Sequence, residues 1–422
     1  MARFLHIADI HLGFNRYDCP ERTKDFFYTL YAVLQTHAVE AKVDFVAIAG
    51  DLFEHRNIQP AILNQAQKCL QLLQDANIPA IAIEGNHDNR PYGTNTNWLR
   101  YLADWGLLIL LEPTEDAEVI YQPWDPKTRR GGYIDLDCGV RVLGSHWYGA
   151  AAPSAIGQLA EAIAQLPKTT DHTVMLFHHG LEGQVARYAG ALRYGDLAPL
   201  KQAGVDYLAL GHIHKHYCVE DWIFNPGSLE ANSIEESSYV RGAYAVELGP
   251  EGICAELRRS YRQRAVVRLK LQTRGQETAD ELAQAAQELV TAAIAGHKLN
   301  PQQQPITELR IEGTVGFDPL ELDVRQLQGE LQEMSQSLIF LLRYAVDAVA
   351  YQTPLQDGDR QQIEQETYRD LVVAHNSYKR QADRFVTGLV GLQEMTLEER
   401  ADDELYQFLE TLLDPASPST DP

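Results

Sequence analysis

The chain has 422 residues, 45% of them hydrophobic and 23% charged, and carries a formal net charge of −23. That length suits two or three domains around at least one large core, and no stretch approaches the ~18 uninterrupted apolar residues of a membrane span. So acidic a chain does not coat nucleic acid through its overall field, and any polyanionic substrate must be held locally.

Phe4–Ala8 reads as a strand that opens into Asp9-Ile10-His11. Asp9 breaks this first apolar segment too early for a signal peptide, so a cytoplasmic location is expected. The five cysteines are scattered without a C-x-x-C pair, which predicts reduced thiols. A helical stretch over Glu21–Ala41 leads to a strand at Val43–Ala49 that ends in Gly50-Asp51. A helix over Pro60–Ala76 precedes a strand at Ile78–Ile83, followed by Gly85-Asn86-His87-Asp88. Pro60 near a helix start and Asn77 after its end are ordinary boundary signals. Beyond a helix at Asn95–Trp105, the Pro-, Asp- and Gly-rich segment Glu112–Gly139 reads as loops and short hairpin strands. After a helix at Ser154–Leu166, strands at Thr173–Phe177 and Val205–Leu210 open into His178-His179 and Gly211-His212-Ile213-His214. This alternation predicts an α/β layered domain over residues 1–233. In such sheets the strand ends converge on one crevice, so five endings bearing metal-ligand residues predict a metalloenzyme.

From Ile234 the pattern changes. Strands are expected at Gly242–Glu247, Ile253–Arg258 and Ala265–Leu271, then a helix over Thr278–Ala295 with Thr278 and Glu281 as a capping box and Gly296 as its stop. A strand at Thr307–Glu312, a helix near Leu322–Met334 and a strand at Ser337–Leu342 complete a small α+β domain, expected over 234–352. Residues 353–422 read as polar helices whose apolar positions, among them Tyr368, Leu371, Val372, Phe385, Leu389 and Leu392, share a face. The end, Asp414–Pro418, is expected to be disordered.

A dinuclear site for hard cations needs oxygen and imidazole ligands, with a carboxylate to bridge them. Asp51 is the natural bridge, because Gly50 permits a sharp exit from the strand. Asp9 and His11, at alternate positions, point the same way and can share one metal, as can His212 and His214. Asn86 offers a neutral oxygen and His178 an imidazole. His87 suits protonation of a leaving oxygen, with Asp88 orienting its ring.

These residues resemble the calcineurin-like metallophosphoesterases, whose pattern is D-x-H, G-D, G-N-H-D/E, H and G-H-x-H. Gly50-Asp51-Leu52-Phe53, Gly211-His212-Ile213-His214 and Asn225-Pro226-Gly227-Ser228 are most similar to the double-strand-break repair DNA exonuclease branch. The resemblance implies a two-sheet β sandwich flanked by helices, followed by an α+β capping domain and C-terminal helices, with two divalent metal ions, Mn²⁺ by preference. It would place Asp9, His11, Asp51 and His214 on one metal, and Asp51, Asn86, His178 and His212 on the other. It implies a DNA nuclease working as a homodimer with an SMC-like ABC ATPase, away from membranes. That ATPase would dock on Arg360–Leu413 and would supply the ATP hydrolysis, since this chain has no G-x-x-x-x-G-K-[ST] loop.

Some family members have a histidine after G-D-L-F to position substrate; here Glu54 and His55 follow, and either is a candidate. Other candidate substrate contacts are the rim residues Tyr17, Arg90, Tyr92, Trp147 and Tyr148, the run Arg258, Arg259, Tyr261, Arg262 and Arg264, and Arg129-Arg130. The competing expectation is a phosphodiesterase acting on nucleotides or other small phosphoesters with the same metal set. A protein phosphatase fits less well, because Asp88 stands where that branch has Glu.

Overall fold

In the computed structural model, residues 1–114, 119–184, 190–348, 365, 367–369, 371–372, 381–397, 400 and 402–413 are described. The first strands in chain order are β1 (Ala2–Ile7), β2 (Phe45–Ile48), β3 (Ala80–Ala82), β4 (Ile109–Leu110), β5 (Tyr133–Asp135) and β6 (Val140–Leu143). Next come β7 (His172–His178), β8 (Tyr207–Gly211), β9 (Tyr217–Val219), β10 (Ile223–Asn225), β11 (Ala243–Gly249) and β12 (Gly252–Arg258). They form two six-stranded mixed sheets, ordered β12-β11-β1-β2-β3-β4 and β5-β6-β7-β8-β10-β9.

Side-chain alternation sorts the apolar residues into layers. Phe4, Phe45, Ala47, Val174, Leu176, Tyr207 and Ala209 fill the seam between the sheets. There Phe4 stacks on Phe45 at 4.7 Å and meets Tyr207 edge-on at 5.2 Å. Their neighbours Leu5, Ile7, Val46 and Ile48 face the other way, onto helices α1 (Pro20–Val33), α2 (Pro60–Asp75) and α3 (Trp98–Asp104). Met175, Phe177, Leu208 and Leu210 likewise face α4 (Ala152–Ala164) and α5 (Tyr194–Gln202). Strands buried on both faces read as continuous apolar runs, which is what the sequence contains.

One grouping is corrected. The strands near 242–258, assigned from sequence to the α+β domain, belong to the first sheet. There β11 runs antiparallel to β1, with Phe4 opposite Val246, and β12 pairs beyond it. The physical reason is the free edge of β1, which would otherwise present a row of unpaired backbone groups.

The following unit has three parallel strands, β13 (Val266–Gln272), β14 (Ile306–Val315) and β15 (Ile339–Ala348). Helices α6 (Ala279–Ala295) and α7 (Val324–Ser335) cover one face through Leu282, Ala286, Val290, Leu327 and Leu331. The predicted capping box of α6 forms: the Glu281 N–H donates to the Thr278 hydroxyl at 3.2 Å, and the Thr278 N–H to the Glu281 carboxylate at 2.9 Å. Arg264 ties this unit to the sandwich, donating to Asp25 at 2.8 and 2.6 Å and to the carbonyls of Gln303 and Gln304.

At the C-terminal end, α8 (Ala382–Leu397) and α9 (Asp402–Leu413) pack together, and Arg384 donates to the Thr411 and Leu412 carbonyls at 3.1 and 3.2 Å. Much of Arg360–Leu413, and all of the tail from Asp414, lie outside the described residues. No helix among the described residues is long and apolar enough to cross a membrane.

Between the sheets, His6 is fully buried. Its Nε2–H donates to the Leu210 carbonyl at 3.0 Å and its Nδ1 accepts from the Tyr207 hydroxyl at 3.0 Å, which fixes a neutral ring. Burial pushes its pKa down to about 3 from an ordinary 6.5, against the opposing pull of the Leu210 carbonyl. Unfolded His6 therefore takes up a proton below pH ~6.5 while the folded ring refuses it, so this stabilisation is lost as pH falls from 6.5 towards 3. The expected contribution to the slope of stability against pH is about 1.4 kcal/mol per unit. Thermal melts across pH 4–7 should show a flatter dependence in His6→Gln, and equal slopes would refute this account.

Candidate metal centre

The loops after β1 and β2 stay zipped beyond the strands. The Asp9 N–H donates to the Gly50 carbonyl at 3.2 Å, and the Ile10 and His11 N–H groups to the Asp51 carbonyl at 2.8 and 3.1 Å. Asp9, His11, Asp51 and His212 all have positive φ, at 51, 53, 54 and 85°. Non-glycine residues seldom adopt this region, and such strain gathers at functional sites. Simple strand alternation is thus not what aims Asp9 and His11: both lie past the end of β1, turned by left-handed backbone. Glycines let the pieces approach. A Cβ on Gly50 would collide with the His178 ring, and one on Gly85 with the Asp51 carboxylate. The Asn225-Pro226-Gly227-Ser228 turn clamps the histidine loop, with Asn225 Nδ2 donating to the Ile213 carbonyl at 2.7 Å and the Lys215 carbonyl at 3.0 Å.

Two groups of donors result, Asp9 with His11 and His214, and Asp51 with His178 and His212, the ligand atoms within each lying inside 4.8 Å of one another. Asn86 Oδ1 joins the second, 3.1 Å from His178 Nε2 and 2.8 Å from His212 Nδ1. All seven sequence-predicted ligands therefore come together.

The ring nitrogens say what the pocket is built to hold. His178 Nδ1 donates to the Ala49 carbonyl at 2.7 Å, which leaves the Nε2 lone pair of the neutral ring facing Asp51 Oδ2 at 3.2 Å and Asn86 Oδ1. His11 Nδ1 and His214 Nδ1 are engaged by Glu54 at 2.8 Å and Glu236 at 3.0 Å, so two Nε2 atoms confront each other at 3.1 Å. Acceptors crowded against acceptors in a buried pocket require protons or cations between them. Mixed carboxylate, amide-oxygen and imidazole donors suit divalent cations such as Mn²⁺ or Zn²⁺, and the residues present fit a metal pair.

The same charges set the protonation of these groups. Burial alone would lower His178, but the Asp51 carboxylate outweighs it and lifts the imidazole to about 9. Burial alone would likewise raise Asp51, yet His178 holds it well below the usual carboxylate range. Burial, with His178 alongside, pushes His212 down to about 3. Asp9 is raised by burial, with Asp51 adding to it and the surrounding histidines opposing.

His87 lies beside the cluster. Its N–H donates to Asp51 Oδ1 at 2.8 Å and its ring Nδ1 to the Glu54 carbonyl at 2.7 Å. His11, Glu54 and His87 also converge closely enough to hold an ion, but His87 Nδ1 is spent on that carbonyl. The expected role of Asp88 is corrected. Its carboxylate accepts from the N–H groups of Leu52, Phe53 and Gly85 at 3.2, 3.0 and 3.1 Å, bracing the two loops rather than orienting His87. Burial, with Asp51 nearby, pushes its pKa up to about 6 against these bonds.

A cavity of about 540 Å³ adjoins the cluster, lined by Glu54, His55, Arg56, Asn57, Asn86 and His87. His55 is thus at the site, while the Glu54 side chain turns to His11. Arg90 is exposed two residues past Asp88. Tyr17 is not at the cluster: it packs with Ile234, Ile306 and Ile339, and its hydroxyl accepts the Ile234 N–H at 3.3 Å. The arginine candidates are largely engaged in structure, Arg264 with Asp25, Arg262 over Tyr28, Arg258 with Glu256, Arg129 with the Asp104 carbonyl and Arg130 with Asp104. Trp147 does reach the cluster, stacking on His179 at 5.5 Å and tilting against His212 at 5.1 Å. Glu236 went unrecognised in the sequence, where nothing in its turn of mixed acidic and polar residues distinguishes it.

Comparison with known proteins adds to this geometry. A family model described as calcineurin-like phosphoesterase matches residues 2–216. The DNA double-strand break repair protein Mre11 of Archaeoglobus fulgidus is 31% identical over 252 residues, covering 56% of this chain and 52% of that protein. That of Halobacterium salinarum is 32% identical over 190 residues, covering 42% and 47%. That of Saccharolobus solfataricus is 29% identical over 217 residues, covering 51% and 50%. The chain spans about half the length of these curated relatives.

Proposed function

This chain belongs to the calcineurin-like phosphoesterase family, and from that premise we propose that it is a metal-dependent nuclease hydrolysing phosphodiester bonds in DNA, acting in double-strand break repair. The family uses a dinuclear site of divalent cations. The observation that carries the proposal is the confrontation of His11 Nε2 and His214 Nε2 at 3.1 Å, beside Asp9 and beside the second group at Asp51. Likeness to the archaeal Mre11 proteins supports DNA as the substrate.

In this reading Asp9, His11, His214 and Asp51 hold one cation, and Asp51, Asn86, His178 and His212 the other. Mn²⁺ suits the mixed carboxylate and imidazole set. Bound cations would supply Lewis-acid polarisation of the phosphoryl group and acidify the attacking water. The chain's own residues do the rest. Asp51 and Asp9 would supply the fixed negative charge that holds the cations among the imidazoles. The His87 ring is locked through Nδ1, so in its imidazolium form Nε2 carries the proton for the leaving oxygen. His55 and Arg56, on the cavity wall, would hold the substrate, and the exposed Arg90 is a further candidate contact. We assign residues 1–258 to the nuclease unit and 266–348 to a cap over it. The C-terminal helices, through Phe385, Leu389 and Leu392, are the docking surface for an SMC-like ABC ATPase, in a complex built on a homodimer.

The net charge of −23 favours a second reading, a phosphodiesterase for nucleotides or other small phosphoesters, which needs no electropositive track. Labelled single- and double-stranded DNA, bis-p-nitrophenyl phosphate and cyclic nucleotides, each assayed with and without Mn²⁺, separate the two. Metal-stimulated DNA cleavage is expected. Turnover dominated by cyclic nucleotides would favour the second reading, and an intact protein inert towards all of them would end both.

A further inference from the structure

The two groups of donors are braced differently. In the first, each imidazole meets a carboxylate: Glu54 Oε2 stands 2.8 Å from His11 Nδ1 and Glu236 Oε1 3.0 Å from His214 Nδ1. In the second, His178 Nδ1 donates to the Ala49 carbonyl at 2.7 Å, while His212 turns its Nδ1 into the pocket, 2.8 Å from Asn86 Oδ1. Both glutamates are themselves fixed. The Glu54 N–H donates to the Leu12 carbonyl at 3.0 Å, Glu236 Oε2 accepts the Asn232 N–H at 2.9 Å, and Arg241 donates to the Glu236 carbonyl.

An imidazole that gives its Nδ1 proton to a carboxylate presents its lone pair at Nε2 and is a stronger base there than one bonded to a carbonyl. His214 is held in this state by Glu236, and the Glu54 carboxylate, 2.8 Å from His11 Nδ1, pulls His11 towards it, with the two Nε2 atoms 3.1 Å apart. Charge points the same way. Asp9, Glu54 and Glu236 surround the first position, whereas the second has the shared Asp51 and three neutral donors. A divalent cation follows local negative charge.

We propose that Glu54 and Glu236 are positioning residues that make the Asp9–His11–His214 position the tighter and first-filled of two divalent-cation sites. This rests on the dinuclear reading above. It also gives Glu54 a place in this chain different from substrate contact: its carboxylate holds His11 while its carbonyl holds His87. One residue therefore sets the distance between a cation position and the proton donor.

The test is calorimetric titration of the metal-free full chain with Mn²⁺, paired with electron paramagnetic resonance at one and two equivalents. Wild type should bind in two unequal steps, giving the spectrum of an isolated ion first and of an exchange-coupled pair second. Glu54→Gln and Glu236→Gln should each weaken the tighter step by roughly 10- to 100-fold and leave the other in place, so that the isolated-ion stage is lost. Glutamine keeps the shape and one acceptor oxygen for the imidazole Nδ1–H while removing the charge. Unchanged melting of the metal-free variants verifies the fold, and the alanine pair should weaken the same step at least as much. Variants that shift both steps equally, neither step, or only the weaker one would overturn the proposal. Uptake of one class of Mn²⁺ in wild type would overturn it while leaving the nuclease reading standing, and no uptake at all would overturn both.

Discussion

Replacing Asp51 with Asn is expected to lower metal-stimulated diesterase turnover by roughly 10³-fold or more, equivalent to about 4 kcal/mol of transition-state stabilisation. The expectation follows from position. Asp51 is buried, its Oδ2 lies 3.2 Å from His178 Nε2, and its Oδ1 takes the His87 N–H at 2.8 Å. It therefore touches both the cation pocket and the segment that carries the proton donor. Asparagine keeps the shape, loses the charge and presents an amide N–H₂ to a pocket already made of acceptors. Gly85→Ala provides a second approach to the same atom. Its Cβ would displace the Asp51 carboxylate without removing charge, and a comparable loss is expected. Turnover of bis-p-nitrophenyl phosphate, measured with Mn²⁺ stoichiometry, checks both variants. An Asp51→Asn protein within tenfold of wild type and still binding two cations would remove Asp51 from the bridging position.

How the site could be read from the sequence, and where that failed, has a physical explanation. Ile7, Ile48, Phe177 and Leu210 belong to strands buried on both faces, so each ligand follows an apolar run whose end is easy to find. Parallel neighbours within a sheet end on the same edge, and the two packed sheets bring those edges together, so the seven candidate ligands could be named from the sequence. Four features were not local. The placement of β11 and β12 depends on which sheet has a free edge, and a strand's own residues do not encode its neighbour. The left-handed backbone of Asp9, His11, Asp51 and His212 depends on tertiary hydrogen bonds between loops, such as Ile10 to Asp51, which override the strand period used to aim these side chains. The roles of Asp88 and Tyr17 turned on what stood opposite. Asp88 met three backbone N–H groups, and Tyr17 met an apolar cluster and the N–H of Ile234. Glu236, on a short turn far along the chain, becomes visible only when His214 is placed against it.

The His87→Gln variant should separate proton donation from metal binding. A positioned general acid contributes roughly 10²- to 10⁴-fold, and a loss of that size in kcat on DNA is expected. Because the His87 ring donates to the Glu54 carbonyl rather than joining either pair of cation donors, Mn²⁺ uptake should persist with both steps intact. The nature of the leaving group sharpens the prediction. Cleavage within DNA expels a sugar alkoxide, which needs a proton in the transition state, whereas bis-p-nitrophenyl phosphate expels a nitrophenolate that is stable as an anion. The variant should therefore lose far more activity on DNA than on the nitrophenyl ester, and KM should change less than kcat, since the ring contributes at the transition state more than in the ground state. Equal losses on the two substrates would mean that His87 acts through phosphate charge or cation geometry instead. Loss of one Mn²⁺ step would mean that the neighbouring grouping of His11, Glu54 and His87 holds an ion after all, and the proton donor would have to be sought elsewhere on the cavity wall, where His55 is the next imidazole in reach.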